Sequence, residues 1–252
     1  MLVTQSTKVA ACQLPVVDRD IDTALSWIDD YAQRAAAMEV RLVCFPECFL
    51  QGYLVQENHA RTHAMDLSSA EFQAVLQRLA HLEPVLVFGM IECSAGSLFN
   101  TAVVIHRGAL MGRYRKTHLL SGERIFSPGG LFPVFTVDAL TFGINICSDT
   151  QVAAPAEAVA AQGAQLILCP ANNMMKRASA EKWKNQHNPV RAARAKESGC
   201  WFVSADVTGQ CEHSIGLGPT AVMNPLGHVV AQVPLMETGV VTADVPTKPN
   251  NR

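Results

Sequence analysis

A glutamate, a lysine and a cysteine close three strand-like runs: Phe45-Pro46-Glu47, Tyr114-Arg115-Lys116 and Ile146-Cys147-Ser148-Asp149. Opening a C–N bond needs a carboxylate to move protons, a cation beside an oxyanion and a sulfur to attack the acyl carbon. The three residues lie far apart in sequence, so they meet only if the fold gathers several strand ends. A thiol must lose its proton before it attacks. Cys147 stands beside Asp149 and near an expected helix start, whose dipole favours a thiolate. The chemistry these types predict has Glu47 take the proton and Cys147 attack an amide carbonyl. Lys116 and a backbone N–H, that of Ser148, then hold the oxyanion. Glu47 returns the proton to departing ammonia or amine and activates the water that opens the thioester. No metal or organic cofactor is required. Taken singly, each residue has an ordinary use: a buried cysteine packs as a small hydrophobe, Glu47 sits in a solvated loop, and Lys116 ends a basic strand edge. The joint placement at strand ends is what favours chemistry.

The elements that must position these residues follow from pattern. Val9 to Leu14 reads as a buried strand, followed by a helix with apolar positions at Ile21, Ala24, Leu25, Ile28, Tyr31, Ala32 and Ala35. Val40 to Phe45 is a strand stopped by Pro46. Ser68 with Glu71 suggests a capping box for a helix facing inward through Phe72, Val75, Leu76 and Leu79. Val85 to Ile91 is a third strand, and Thr101 to His106 with Leu110 to Tyr114 a hairpin around Arg107-Gly108. The second half repeats the order: strand Thr141 to Cys147, helix Pro155 to Gln162, strand Leu166 to Cys169, helix Ala180 to Ser198, strand Trp201 to Ala205. A hairpin around Asn224-Pro225-Leu226-Gly227 ends it. Two related strand-helix halves predict one α/β domain over residues 1–252, two sheets face to face with helices outside. Sites in such folds lie beyond the carboxyl ends of strands, where Glu47, Lys116 and Cys147 fall.

Composition narrows the classes. Of 252 residues, 49% are hydrophobic and 17% charged, which suits a folded core rather than disorder. A net charge of −2 leaves no electrostatic footprint for nucleic acid or anionic membrane. No apolar run reaches the roughly 18 residues of a membrane span, and Met1 to Lys8 lacks the layout of a signal peptide. A cytoplasmic location is expected. The eight cysteines form no Cys-x-x-Cys pair, so neither a disulfide framework nor a zinc site is expected. His59 and His63, four apart, lie in polar surroundings that suggest a loop or exposed helix.

Matches over nearly the whole chain resemble the nitrilase superfamily of carbon–nitrogen hydrolases. They include Val9-Ala10-Ala11-Cys12-Gln13, Leu42-Val43-Cys44-Phe45-Pro46-Glu47 leading to Gly52-Tyr53, and Tyr114-Arg115-Lys116-Thr117-His118-Leu119. Gly143-Ile144-Asn145-Ile146-Cys147, Leu166-Ile167-Leu168-Cys169-Pro170 and Gly218-Pro219-Thr220-Ala221-Val222 continue the likeness. The resemblance implies a four-layer αββα sandwich, with Glu47 as base, Lys116 at the oxyanion, Cys147 as nucleophile and Glu123 as a second glutamate that orients the amide or holds Lys116 and Glu47. It also implies a homodimer or higher homo-oligomer, with the apolar stretch from Ala154 to Ala164 near the contact. His118 matches a family position and is expected to buttress the Lys116 strand. Family members often carry an aromatic after the nucleophile and an arginine soon after; here the chain reads Ser148-Asp149-Thr150-Gln151, which alters the pocket wall and disfavours a nitrile.

The expected activity is hydrolysis of a small linear amide, with pocket residues Tyr53, Asn172 and Asn173. Three rivals stand beside it: N-carbamoyl-amine hydrolysis or acyl transfer on the same fold, a binding protein without turnover, and thiol-based sensing of redox state or metal. The basic stretch Lys176 to Lys196 reads as an exposed helix face; a subset lining the pocket, such as Lys176 or Arg177, would attract a substrate carboxylate.

Overall fold

Runs without alternation, such as Val9-Ala10-Ala11-Cys12 and Leu166-Ile167-Leu168-Cys169, need apolar cover on both faces of a sheet. The computed structural model, which describes residues 5–211 and 213–247, supplies that cover by stacking two sheets between layers of helix. The first four residues, part of the segment read for a signal peptide, lie outside the described residues. The first half runs β1 (Ser6–Pro15), α1 (Ile21–Ala37), β2 (Leu42–Cys44), α2 (Glu57–His63), α3 (Ala70–Arg78), β3 (Val85–Ser94), β4 (Ser97–His106) and β5 (Ala109–Arg115). Next come β6 (Val134–Val137), β7 (Leu140–Ile144), α4 (Ala154–Ala160), β8 (Leu166–Pro170), β9 (Met175–Lys176), α5 (Arg177–Trp183) and α6 (His187–Ser198). The chain closes with β10 (Trp201–Ala205), β11 (Val207–Cys211), β12 (Ser214–Leu217), β13 (Ala221–Met223), β14 (Val229–Gln232) and β15 (Gly239–Pro246).

The two halves share one topology. The first sheet contains the order β5-β4-β3-β2-β1 and the second β14-β13-β10-β8-β7. In both, the first three strands pair in parallel and the last two antiparallel. Three cores follow from the layering. Val9, Leu42, Val87 and Val104 meet Ile144, Leu168 and Val203 between the sheets. Ile28 and Tyr31 of α1, with Phe72 and Leu76 of α3, cover Val43 and Phe88 on one outside face. Val159 of α4 and Ala195 of α6 cover Ile167 and Phe202 on the other. The four-layer αββα sandwich is therefore the observed architecture.

Several boundaries differ from the sequence reading. The strand expected to reach Cys147 ends at Ile144, because the Asp149 carboxylate takes the Ile146 N–H and the chain tightens into a 3-10 turn over Cys147–Gln151. The helix expected over Ala180 to Ser198 is two helices. Pro189 has no N–H for the carbonyl of Asn185, and its ring crowds that group, so the chain turns through residues 184–186. The cap of α3 is Ser69, whose Oγ accepts from Phe72 N at 3.1 Å, while Ser68 folds back onto Asp66. Unanticipated strands complete the first sheet: β15 runs antiparallel along β1, and β11 pairs with its last two residues. No helix among the described residues is long and apolar enough to cross a membrane.

Gly89 in β3 is where this scaffold bears on the Glu47 loop. Its N–H donates to Pro46 O at 3.0 Å, and a Cβ there would fall 2.6 Å from Glu47 Cα and closer still to Cys48 N. Gly89→Ala must push the loop outward, an overpacking cost of about 1–3 kcal/mol. The urea midpoint should drop accordingly, and any turnover that depends on Glu47 should fall roughly 100-fold, as expected for a displacement near 1 Å. Unchanged midpoint and turnover would show that the loop tolerates the methyl.

Candidate active site

Lys116 leaves the end of β5 with its N–H on Asn100 O and its side chain wholly enclosed. Its Nζ donates to Glu47 Oε1 and to Glu123 Oε1, both at 2.7 Å. Asn100 Nδ2 bridges the same two oxygens, at 2.7 and 3.2 Å. Glu47 follows β2, and its Oε2 accepts the Asn172 N–H at 2.9 Å. Glu123 stands on a 3-10 turn, and its Oε2 accepts Leu120 N at 2.7 Å. Both carboxylates are buried. Burial lifts the Glu47 pKa above its ordinary value despite the adjacent ammonium. Burial acts the same way on Glu123, but Lys116 and hydrogen bonds outweigh it and hold that group below its ordinary value. Burial alone would discharge Lys116; Glu47, Cys147 and Glu123 reverse this and keep it charged.

Cys147 lies in the turn after β7 with a left-handed φ of 42°, a conformation L residues hold only when neighbours enforce it. Asp149 is the enforcer. Its carboxylate accepts from Ile146 N (2.8 Å), Tyr114 Oη (2.8 Å), Thr117 N (3.1 Å), Thr117 Oγ1 (3.0 Å) and His118 N (2.7 Å). Ser148 Oγ donates to His118 O at 2.6 Å. The Cys147 turn and the segment beyond Lys116 are thus sewn together. The Asp149 oxygens thus face backbone and hydroxyl groups. Burial, and then Glu47, push the Cys147 thiol well above its usual range, opposed by Lys116. At rest the sulfur keeps its proton.

A cavity of about 160 Å³ opens over Cys147 and Ser148. Asn173 lines it, with Oδ1 4.0 Å from Cys147 Sγ. Asn172 and Tyr53 instead line a neighbouring cavity of about 330 Å³. Asn172 supplies its backbone N–H to Glu47, and the Tyr53 hydroxyl hydrogen-bonds to Glu123. Of the basic stretch, Arg191 reaches the Cys147 cavity; Lys176 and Arg177 are exposed and outside it, with Arg177 on Gln210. His118 contributes through its backbone. His59 and His63 sit on α2, His63 Nδ1 against His59 O at 2.9 Å, and no group of three metal-ligating residues forms among the described residues.

Sequence reading missed three supports. Asp206, fully buried after β10, accepts from Asn173 N (3.0 Å), Asn173 Nδ2 (2.5 Å) and Arg191 Nη2 (3.0 Å). Its position past a strand end was a usable signal. Arg191 was masked by its basic neighbours, and a lone Asn100 inside an apolar strand carries no pattern at all.

This four-layer sandwich, with a buried Glu-Lys-Glu cluster beside a cysteine, has the makings of a cysteine-dependent acyl-transfer enzyme. A sequence model of the carbon-nitrogen hydrolase family matches residues 8–248, and the chain belongs to that family. Among its relatives are an (R)-stereoselective amidase of Pseudomonas sp, 27% identical over 84% of this chain and 76% of that one, and a nitrilase of Pyrococcus abyssi, 28% identical over 94% and 89%. An omega-amidase of Homo sapiens is 26% identical over 86% and 81%. A glutamate-to-glutamine mutant of an amidase from Nesterenkonia sp. AN1 superimposes with a TM-score of 0.81 at 25% identity, covering 95% of this chain and 93% of that one; that mutant's structure shows the result of Michael addition of acrylamide at the active-site cysteine.

Removing the cation tests the cluster. Lys116→Met leaves two buried carboxylates without a counter-charge, a loss of about 3–5 kcal/mol. Each carboxyl then has a folded pKa above its unfolded value, so the native state binds more protons and stability falls as pH rises between the two. The urea midpoint of the variant should lie well below wild type at pH 8 and recover toward it at pH 5. A deficit equal at both pH values would contradict charge burial as its cause.

Proposed function

We propose that this protein hydrolyses a small linear amide without a cofactor, through a thioester on Cys147, releasing ammonia and a carboxylic acid. The observation that carries the reading is the enclosed Glu47–Lys116–Glu123 cluster, whose Glu47 and Lys116 charges reach the Cys147 thiol that lines a cavity. In the first half-reaction Glu47 takes the thiol proton as sulfur bonds to the carbonyl carbon. The oxygen gains the electron pair, facing Lys116 and the Ser148 N–H. The C–N bond breaks as Glu47 passes its proton to nitrogen, and ammonia leaves. In the second, Glu47 takes a proton from water, hydroxide adds to the thioester, and the C–S bond breaks with the proton returned to sulfur.

The resting protonation states suit this order. A thiol raised by burial is inert until a base is aligned with it, and a carboxylate raised by burial is a stronger base than a solvated one. Lys116 remains an ammonium throughout and stabilises charge without exchanging a proton. Glu123 fixes Lys116, and Asn173 Oδ1 is placed to accept from the substrate N–H. The relatives named amidase and omega-amidase support an amide substrate.

Ammonia release from short amides tests the reading. Cys147→Ala should abolish both turnover and the acrylamide mass adduct, whereas Glu47→Gln should leave a folded protein that turns over at least 1,000-fold slower, within the range for a lost general base. On the acid side, kcat/KM should fall as Glu47 protonates, with its midpoint above the ordinary carboxylate range because burial raises that group. Turnover surviving in Cys147→Ala would end the proposal.

A further inference from the structure

Among the described residues, the Cys147 cavity offers no unpaired cation to a substrate carboxylate. Its apolar wall is Leu120, Met175, Trp183 and Val190. The one cation lining it, Arg191, is only 3% exposed and fully engaged: Nη2 donates to Asp206 at 3.0 Å, and Nη1 to Ser204 Oγ and Pro219 O. His187, tilted against Trp183 with ring centroids 5.4 Å apart, is also in the lining. Burial first, then the Arg191 charge, push its pKa down to about 4, so the imidazole is neutral at physiological pH. Lys116 is ion-paired with Glu47 and Glu123 and lies outside this lining. Lys176 and Arg177, the candidate carboxylate anchors of the sequence, lie outside this lining.

We infer that the acyl chain accepted here is short, apolar and free of a carboxylate, so that monoamides of dicarboxylic acids are rejected. This rests on the hydrolase reading above and specifies its substrate class. Two cations, Lys116 and Arg191, stand against four buried carboxylates, Glu47, Glu123, Asp149 and Asp206, so a further carboxylate would enter an already negative site. Burying a charge without a partner is costly, and any approach to Arg191 also brings the anion toward Asp206. The volume argues likewise: about 160 Å³ lies below the usual 300–1,000 Å³ of ligand sites, leaving little space for a hydrated carboxylate.

The test compares three probes, butyramide, succinamide and succinamate, by kcat/KM for ammonia release. Succinamide and succinamate match in heavy-atom number and differ in charge, which separates charge from size. Succinamate should be about 100-fold poorer than succinamide, and butyramide should be a substrate. In Asp206→Asn, which removes the counter-charge of Arg191, the succinamate-to-succinamide ratio should rise at least ten-fold even if overall activity drops. Succinamate within ten-fold of succinamide in the wild type would overturn the inference while leaving the hydrolase reading intact. Ammonia from none of the three, with Cys147 unreactive to acrylamide, would remove the hydrolase reading and this inference with it.

Discussion

An ammonium ion held out of water between two carboxylates is the constraint around which this site is built. Neither the desolvation of Lys116 nor that of its partners is small, and such clusters survive only when geometry and auxiliary hydrogen bonds compensate. Here Asn100 bridges both carboxylates, Asn172 N–H satisfies the far oxygen of Glu47 and Leu120 N–H that of Glu123. Burial first, and then the Glu47 charge, keep the neighbouring thiol protonated, with Lys116 opposing them.

Cys147 must then be held where the cluster can act on it, and Asp149 does this through the backbone. The same carboxylate binds Ile146 N–H, just before the sulfur, and Thr117 and His118 N–H, just after the lysine. Lys116 and Cys147 come from different sheets, so their relative position would otherwise depend on how the sheets slide over apolar side chains. Directional bonds to one buried carboxylate remove that freedom. The left-handed φ of Cys147 is the local cost of the tight turn.

Much of this was legible in the sequence, for identifiable reasons. Unbroken apolar runs announced doubly covered strands, and the repeat of strand, helix and hairpin announced two halves. Glu47, Lys116 and Cys147 were visible because polar residues interrupt apolar runs at strand ends. Asn100 was invisible because one amide in a strand looks like a tolerated defect until its partners are seen. Arg191 was hidden by Lys182, Lys184, Arg194 and Lys196, which share its charge but not its burial; only the register of α6 against β10 singles it out. That register in turn depends on Pro189, which stops one helix and lets the next start at a new angle. The strands β11 and β15 were missed because they exist as partners for β1, and β12 as a partner for β11, rather than by their own patterning, as β-propensity depends on neighbours.

The repeated topology also explains why the site lies where it does. β2 and β8 hold equivalent places in the two sheets, and the segments leaving them, Pro46-Glu47 and Ala171-Asn172, hydrogen-bond to each other: Glu47 N to Ala171 O at 3.2 Å, Asn172 N to Glu47 Oε2 at 2.9 Å. Like strand ends of the two halves therefore meet before any chemistry is assigned. One half then supplies a carboxylate and the other, one residue further on, the Asn173 amide that faces the sulfur. The clamp on that amide by Asp206 and Arg191 also belongs wholly to the second half. The buried Glu47–Lys116–Glu123 cluster comes wholly from residues before β6, while the lining of the Cys147 cavity comes from the second half apart from Leu120. Substitutions in α5 and α6 can therefore reshape that cavity without touching the buried ion cluster.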